Sequence, residues 1–298
     1  MLEIIKYNED EYAFPCLLVL GCFDSIHIGH AELLKKARLQ AKINGLDLGV
    51  MMFINGKGGR QVYTFEERQK LLEEFNVKFI LAIDYTDEFK KTSASEFLTN
   101  IESKLNVKGF MSGRDFRFGE GAKGKVSTLK AYAEDEENGV WYMQVKDLTY
   151  VGEKVSTSQI KSDIENGNLV KARAFLGRNY SVTGFVIEGA NRGKTLGFPT
   201  VNMKYPIEKV EVKKGVYKVK CHVGDEVFIG IANYGARPTF NEQITFLEAY
   251  IDGFVGTLYG RSVTIEFVEY IRETQKFESV DDLKAQLVLD LKQAKLKI

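Results

Sequence analysis

Residues 16–45 read CLLVLGCFDSIHIGHAELLKKARLQAKING, and this stretch decides the fold of the first half of the chain. Cys16 to Leu20 form an apolar run too short for a helix and bounded by Gly21, which reads as a buried strand. From Ala31 the apolar positions Leu33, Leu34, Ala37 and Ala41 recur at helical spacing, and Gly45 supplies the left-handed residue that ends a helix. Strand, glycine loop and helix in that order build a parallel sheet covered by helices, whose ligands lie beyond the carboxyl ends of the strands. Gly21 to His30 occupies that position.

The alternation continues outward. Strands are expected over 49–53, 77–83, 109–112 and 140–145, and helices over 31–44, 65–75 and 94–105. Thr64/Glu67 and Ser93/Glu96 have capping-box spacing, which satisfies free amides at helix starts and makes these residues structural rather than catalytic. From Tyr180 the pattern turns to short strands at hairpin spacing, over 182–187, 216–222, 227–232, 246–251 and 263–270. An antiparallel barrel or sandwich is the expected solution. Leu283, Leu287 and Leu291 behind Ser279 mark an amphipathic helix over 280–294. The expected architecture is therefore an α/β N-terminal domain with a parallel sheet, residues 1–179, and an all-β C-terminal barrel with a C-terminal helix, residues 180–298.

Composition bounds the function. A chain of 298 residues with 44% hydrophobic content can fill two cores. Its 41 basic and 41 acidic residues balance, which argues against nucleic-acid and membrane partners. Three cysteines, Cys16, Cys22 and Cys221, make no disulfide framework, and with no signal peptide or long apolar span the expected location is cytoplasmic. Nothing in the composition requires a homo-oligomer or forbids one.

Two stretches carry chemistry. In the first, His27 and His30 stand three residues apart at a helix start, where both imidazoles can donate to a phosphate. Gly29 lets the backbone approach, and the helix dipole favours the anion. This suits nucleotidyl transfer, in which an acceptor phosphate attacks the α-phosphorus of ATP and the protein positions and neutralises charge. Cys22, Asp24, His27 and His30 also offer zinc-type ligands, but structural zinc sites draw on paired blocks and no second block is present.

The second stretch, residues 189–202, reads GANRGKTLGFPTVN. A Walker A loop has four residues between its first glycine and the Gly-Lys pair; here there are three, Ala190, Asn191 and Arg192. Pro199 stands where the following helix should be established, at a cost of about 3 kcal/mol. What remains is a glycine-rich loop carrying Arg192 and Lys194, then an extended segment in which Thr200 and Asn202 face the same way. A hydroxyl and an amide oxygen can share one hard cation such as Mg²⁺, which makes this an ATP-Mg site of a non-Walker kind.

The second stretch resembles the riboflavin kinase signature, usually Gly-x-x-x-Gly-Arg-x-Leu-Gly-Phe-Pro-Thr-Ala-Asn. Further blocks follow in the family's order: Gly215-Val216-Tyr217, the run from Gly230 to Phe240, Glu248 ahead of Leu258-Tyr259-Gly260, and Ile271 to Phe277. The first stretch resembles the Gly-x-Phe-Asp-Gly-x-His-x-Gly-His motif of the adenylyltransferase half of bacterial bifunctional FAD synthetases. Gly113 to Gly119 and Val155 to Lys161 are similar to two more of that family's segments, and Gly177 to Ser181 to its junction. The resemblance covers nearly the whole chain.

It implies an enzyme with riboflavin, FMN and ATP as substrates and Mg²⁺ as cofactor. It implies Glu248, His27 and His30 as catalytic residues, with Thr200 and Asn202 on the metal. Nucleotide contacts are implied for Gly21, Phe23, Asp24, Gly29, Asp115, Ser156, Thr157, Ser158 and Lys161 in the first half, and for Gly189, Arg192, Lys194 and Thr195 in the second. Arg272 and Phe277 are implied on the flavin, while Arg237 reads equally as a ligand contact or a barrel salt bridge. Three departures stand out: Ser25 replaces a glycine, Lys161 replaces an arginine, and residues 54–60 lack the family's Pro-His-Pro turn. An active riboflavin kinase whose nucleotidylyltransferase half is weakened or redirected to another acceptor, and a non-catalytic flavin- or nucleotide-binding regulator, are the alternative readings.

Overall fold

In the first half the chain lays down β1 (Glu3–Lys6), β2 (Tyr12–Leu20), α1 (Ile28–Asn44), β3 (Asp47–Phe53), α2 (Phe65–Glu73), β4 (Phe79–Ile83), α3 (Ala94–Lys104), β5 (Leu105–Gly113), α4 (Val126–Glu134) and β6 (Trp141–Val145). All six strands pair in parallel, in the order β1-β4-β3-β2-β5-β6. Successive side chains of β2 point to opposite faces. Cys16, Leu18 and Leu20 pack with Phe97, Leu98 and Ile101 of α3 in one core, whereas Leu17 and Val19 join Leu33, Leu34, Ala37 and Ala41 of α1 in the other. A sheet covered on both faces needs strands apolar at every position, which is why residues 16–20 read as an unbroken apolar run.

The computed structural model describes residues 2–189, 198–236 and 245–296. By its contacts the chain divides into two compact units, Met1–Thr157 and Ser158–Ile298. The short hairpin β7 (Thr149–Tyr150) and β8 (Glu153–Lys154) precedes α5 (Thr157–Glu165) and α6 (Leu169–Leu176). Then come β9 (Tyr180–Ile187), β10 (Thr200–Lys204), β11 (Gly215–Val223), β12 (Glu226–Ala236), β13 (Thr245–Ile251), β14 (Ser262–Arg272) and α7 (Val280–Leu296). The last six strands close into an antiparallel barrel in the order β10-β13-β12-β11-β14-β9, with β9 and β10 joined at Asn202/Ile187 and Met203/Val186. Alternate residues fill it: Val219 and Cys221, Leu247 and Ala249, Val263, Ile265 and Phe267 are buried. Tyr180 and Tyr205 reach the same carbonyl, donating to Val210 O at 3.0 and 2.7 Å. Outside, α7 packs against β11 and β12.

Element boundaries differ from the sequence expectation in ways with physical causes. α1 begins at Ile28 rather than Ala31, because His27 caps it: its Nδ1 accepts the His30 N–H at 3.1 Å. β1 is an addition, a four-residue edge strand in which only Ile5 is buried, so it has too little apolar pattern to be read. Both expected capping boxes form, at Thr64/Glu67 and Ser93/Glu96.

Two glycines admit an aromatic ring into the sheet. A Cβ at Gly49 would stand 2.1 Å from the Phe79 ring, and one at Gly109 2.3 Å from the Trp141 indole. Gly49→Ala is expected to destabilise the first unit by about 1–3 kcal/mol through overpacking. Trp141 is the chain's single tryptophan, so its emission during urea unfolding reports that unit; an unchanged midpoint would show that Phe79 has room to turn away.

Candidate active sites

The first site lies where the strand order reverses. β2 leads through α1 to β3 on one side, whereas β5 returns to the other side of β2, with Leu20 paired to Ser112. The loops starting at Gly21 and Gly113 therefore leave the sheet side by side, the position at which open parallel sheets bind ligands. The Gly21 loop is held in a strained shape: Phe23 and Ile26 adopt φ of 47° and 40°, each costing roughly 1–3 kcal/mol. Burial of both side chains offsets this, and polar contacts fix the turn between them. Asp24 Oδ1 accepts the Val62 N–H at 2.7 Å, and the buried Ser25 hydroxyl shares a 2.9 Å hydrogen bond with Thr157. Ser25, a departure from the family glycine, is thus a satisfied tie to the start of α5. Gly21 has no room for a side chain, since a Cβ there would meet the Phe23 ring at 2.7 Å.

His27 and His30 stack with ring centroids 3.7 Å apart and planes 9° from parallel. Because His27 Nδ1 accepts a backbone N–H, the proton of the neutral ring sits on Nε2, so that nitrogen is a donor. Gly29 is fitted to this ring: a Cβ there would approach it to 3.0 Å. Asp115 pairs with Lys154, whose ammonium also lies 3.3 Å from Asp147, so Asp115 stands in a charge network on the turn after β5. Thr157 and Ser158 open α5 directly after Ser156, and Lys161 stands one turn along.

The second site is built by strand register. Glu248 of β13 lies directly opposite Asn202 of β10 on one side and Asn233 of β12 on the other. Opposed residues share a face, so these three and Thr200 stand on the outer wall, away from the buried Leu247 and Ala249. Thr200 Oγ1 donates to Glu248 Oε1 at 3.0 Å. Asn202 is only 3% exposed. Gly189 covers it so closely that a Cβ would sit 2.2 Å from the amide nitrogen. Sequence reasoning assigned no role to Asn233; only the pairing of β12 with β13 brings its exposed amide beside Glu248. Ala190, Asn191, Arg192, Lys194, Thr195, Arg237, Pro238, Thr239 and Phe240 lie outside the described residues.

Arg272 is held by the C-terminal helix. Its Nε and Nη2 donate to the Asp290 carboxylate at 3.0 and 2.7 Å, and its guanidinium lies 5.8 Å from the Phe277 ring centroid. Asp290 is 1% exposed, so α7 orients this arginine.

The FAD synthetase family profile matches residues 9–159, and the riboflavin kinase profile matches residues 176–298. The bifunctional riboflavin kinase/FMN adenylyltransferase of Haemophilus influenzae is 31% identical, over 99% of this chain and 98% of its own length. The chain belongs to the bifunctional riboflavin kinase/FMN adenylyltransferase family. The family members from Bacillus subtilis and Escherichia coli K12 are each 30% identical, over 93% and 92% of this chain and 91% and 90% of their own lengths. The crystal structure of a macrolide-efflux protein from Streptococcus pneumoniae has the same fold, with a TM-score of 0.89 and 28% identity over 99% of this chain and 98% of that one. Among the described residues of this chain no helix is long and apolar enough to cross a membrane.

Removing one partner of a buried ion pair leaves the other unpaired. Asp290→Ala is therefore expected to cost the barrel unit about 3 kcal/mol in thermal unfolding followed by circular dichroism. A loss below about 1 kcal/mol would instead mark the pair as solvated.

Proposed function

We propose that the chain makes both flavin cofactors in sequence. The barrel transfers the γ-phosphoryl group of ATP to riboflavin, giving FMN and ADP. The α/β unit then transfers the adenylyl group of a second ATP to FMN, giving FAD and pyrophosphate. The observation that carries this reading is the row of Asn202, Glu248 and Asn233 across three adjacent strands, with Thr200 bonded to the carboxylate and Gly189 seated on Asn202.

In the kinase step the riboflavin 5′-hydroxyl oxygen attacks the γ-phosphorus, ADP leaves, and Glu248 takes the hydroxyl proton. The Thr200 hydroxyl hydrogen-bonds to Glu248 as donor, which orients the carboxylate and keeps the hydroxyl lone pairs available to accept or to ligate. Those lone pairs and the Asn202 amide oxygen are neutral hard donors and fit Mg²⁺, which when bound with the ATP phosphates neutralises their charge. Gly189, Arg192, Lys194 and Thr195 would line the phosphates, and Arg272, held by Asp290, would orient the flavin side together with Phe277. In the adenylyl step an FMN phosphate oxygen attacks the α-phosphorus and pyrophosphate leaves. His27 Nε2, His30 and the first amides of α1 stabilise the charge, assisted by Asp115, Ser156, Thr157, Ser158 and Lys161.

A functional division into residues 1–179 and 180–298 is supported by Tyr180 opening the barrel's first strand, while by contacts the residues from Ser158 onward group with the barrel unit. A cytoplasmic location and small-molecule partners alone, without nucleic acid or membrane, accord with the balanced charge; a homo-oligomer remains compatible with it. One observation favours a second reading, in which FMN is the main product: the turn where the family carries Pro-His-Pro holds three glycines at positive φ, Gly56, Gly58 and Gly59.

Variants separate the two activities. Glu248→Gln is expected to lower kinase turnover by roughly 10²–10⁴-fold with ATP-Mg binding kept, and a fall under about tenfold would reduce Glu248 to a structural carboxylate. Asn202→Ala should stop FMN formation yet leave conversion of supplied FMN to FAD intact; His30→Ala should do the reverse. Loss of both activities in either variant would sink the assignment of separate sites.

A further inference from the structure

Arg68 on α2 has no surface exposed to solvent, and neither proposed reaction uses it. Its guanidinium spans a turn. Nη2 donates to Ile54 O at 2.9 Å and to Gln61 Oε1 at 2.7 Å, while Nε donates to Thr64 O at 3.3 Å. Ile54 is the first residue after β3, and Gln61 closes the turn that follows. Between them Gly56, Gly58 and Gly59 adopt φ of 67°, 90° and 77°, so the turn has little rigidity of its own. Its two ends are tied by one buried side chain.

The tie continues into the nucleotide loop. Val62, next after Gln61, donates its N–H to Asp24 Oδ1 at 2.7 Å, and Asp24 lies three residues before His27. At the other end Ile54 N–H donates to Ile83 O at 2.9 Å, and the Asn55 amide donates to Asp84 Oδ1 at 2.9 Å. The turn therefore hangs between the carboxyl ends of β3 and β4 and the Gly21 loop. It carries Lys57 and Arg60, charges suited to an anionic acceptor.

A buried guanidinium is an expensive way to gain stability alone. Its burial pushes the Arg68 pKa down to about 10, opposed by the nearby Asp24, and it stays protonated at neutral pH. No carboxylate hydrogen-bonds to it, and Nη1 has no hydrogen-bond partner among the described residues. An apolar residue of similar size would fill the space at lower desolvation cost. What such a residue would not do is hold Ile54 and Gln61 at a fixed separation.

We propose that Arg68 is a positioning residue for adenylyl transfer: it fixes the turn over residues 54–61, and through Gln61 and Val62 the Asp24 loop, in the shape that receives the acceptor phosphate. This rests on the adenylyltransferase reading of the first unit. Arg68 touches no reacting atom in this scheme. Its effect falls on the acceptor more than on ATP, because ATP is held by the start of α1.

The test uses the full chain, with kinase activity of the barrel as an internal control. Arg68→Ala is expected to raise the KM for FMN in FAD formation by about tenfold or more, with the KM for ATP changed less than about threefold. Millimolar guanidinium ion, which can enter the emptied space, should restore part of the loss. Gln61→Ala removes one arm without emptying the site and should show the same split at smaller size; it also serves if Arg68→Ala fails to fold. Hydrogen exchange at residues 54–61 should quicken in either variant. That readout does not depend on FAD being made, so it separates failure of this proposal from failure of the adenylyltransferase reading. An unchanged KM for FMN in both variants, or equal rises for FMN and ATP, would overturn the positioning role, as would unchanged exchange in the turn.

Discussion

Strand register is the constraint on which both units depend. Side chains alternate along a strand, so a slip of one residue between β10 and β13 would turn Asn202 away from Glu248 and bring Met203 to the outer wall. Barrel closure resists that slip. Asn202 is paired with Glu248 on one side and Ile187 of β9 on the other, and every strand around the ring must keep its offset for the last pairing to form. In the parallel sheet the same alternation divides β2 between two cores, and its pairing with β5 brings the loops after Leu20 and Gly113 together.

The two sites treat phosphate differently, and the difference follows from the elements that carry them. A helix start offers amides and a dipole, and at the first site the cap is itself an imidazole: His27 accepts at Nδ1 and keeps its proton on Nε2. Along a barrel wall most backbone amides are engaged in the strand ladder. Side-chain oxygens from neighbouring strands take their place, and a glycine-rich loop begins at Gly189 against them. That contact explains why the residue at 189 lacks a side chain better than any turn preference does.

Much of this was legible in the sequence, because the decisive features were local. The apolar run at residues 16–20, Gly45 at a helix end, and the capping boxes at Thr64 and Ser93 are short-range chemistry, and all took the expected form. The same holds for Thr200 and Asn202 in an extended segment. The features that escaped were long-range or unusual. An imidazole is outside the common set of helix caps, so α1 was expected three residues late. The pairing of Arg272 with Asp290, of Ser25 with Thr157, and the position of Asn233 beside Glu248 all depend on segments brought together by the fold. Arg68 sits in the sequence as one more charged residue on an amphipathic helix, with nothing in its spacing to show that it is buried.

The central claim is that one chain performs two successive transfers to a flavin. It is tested most directly by incubating the unmodified protein with riboflavin and ATP-Mg and following riboflavin, FMN, FAD, ADP and pyrophosphate by chromatography and a coupled phosphate assay. The account predicts that FMN appears first, in step with ADP, and that FAD follows in step with pyrophosphate. Persistence of riboflavin with no ADP formed, under conditions where the chain is folded, would contradict it.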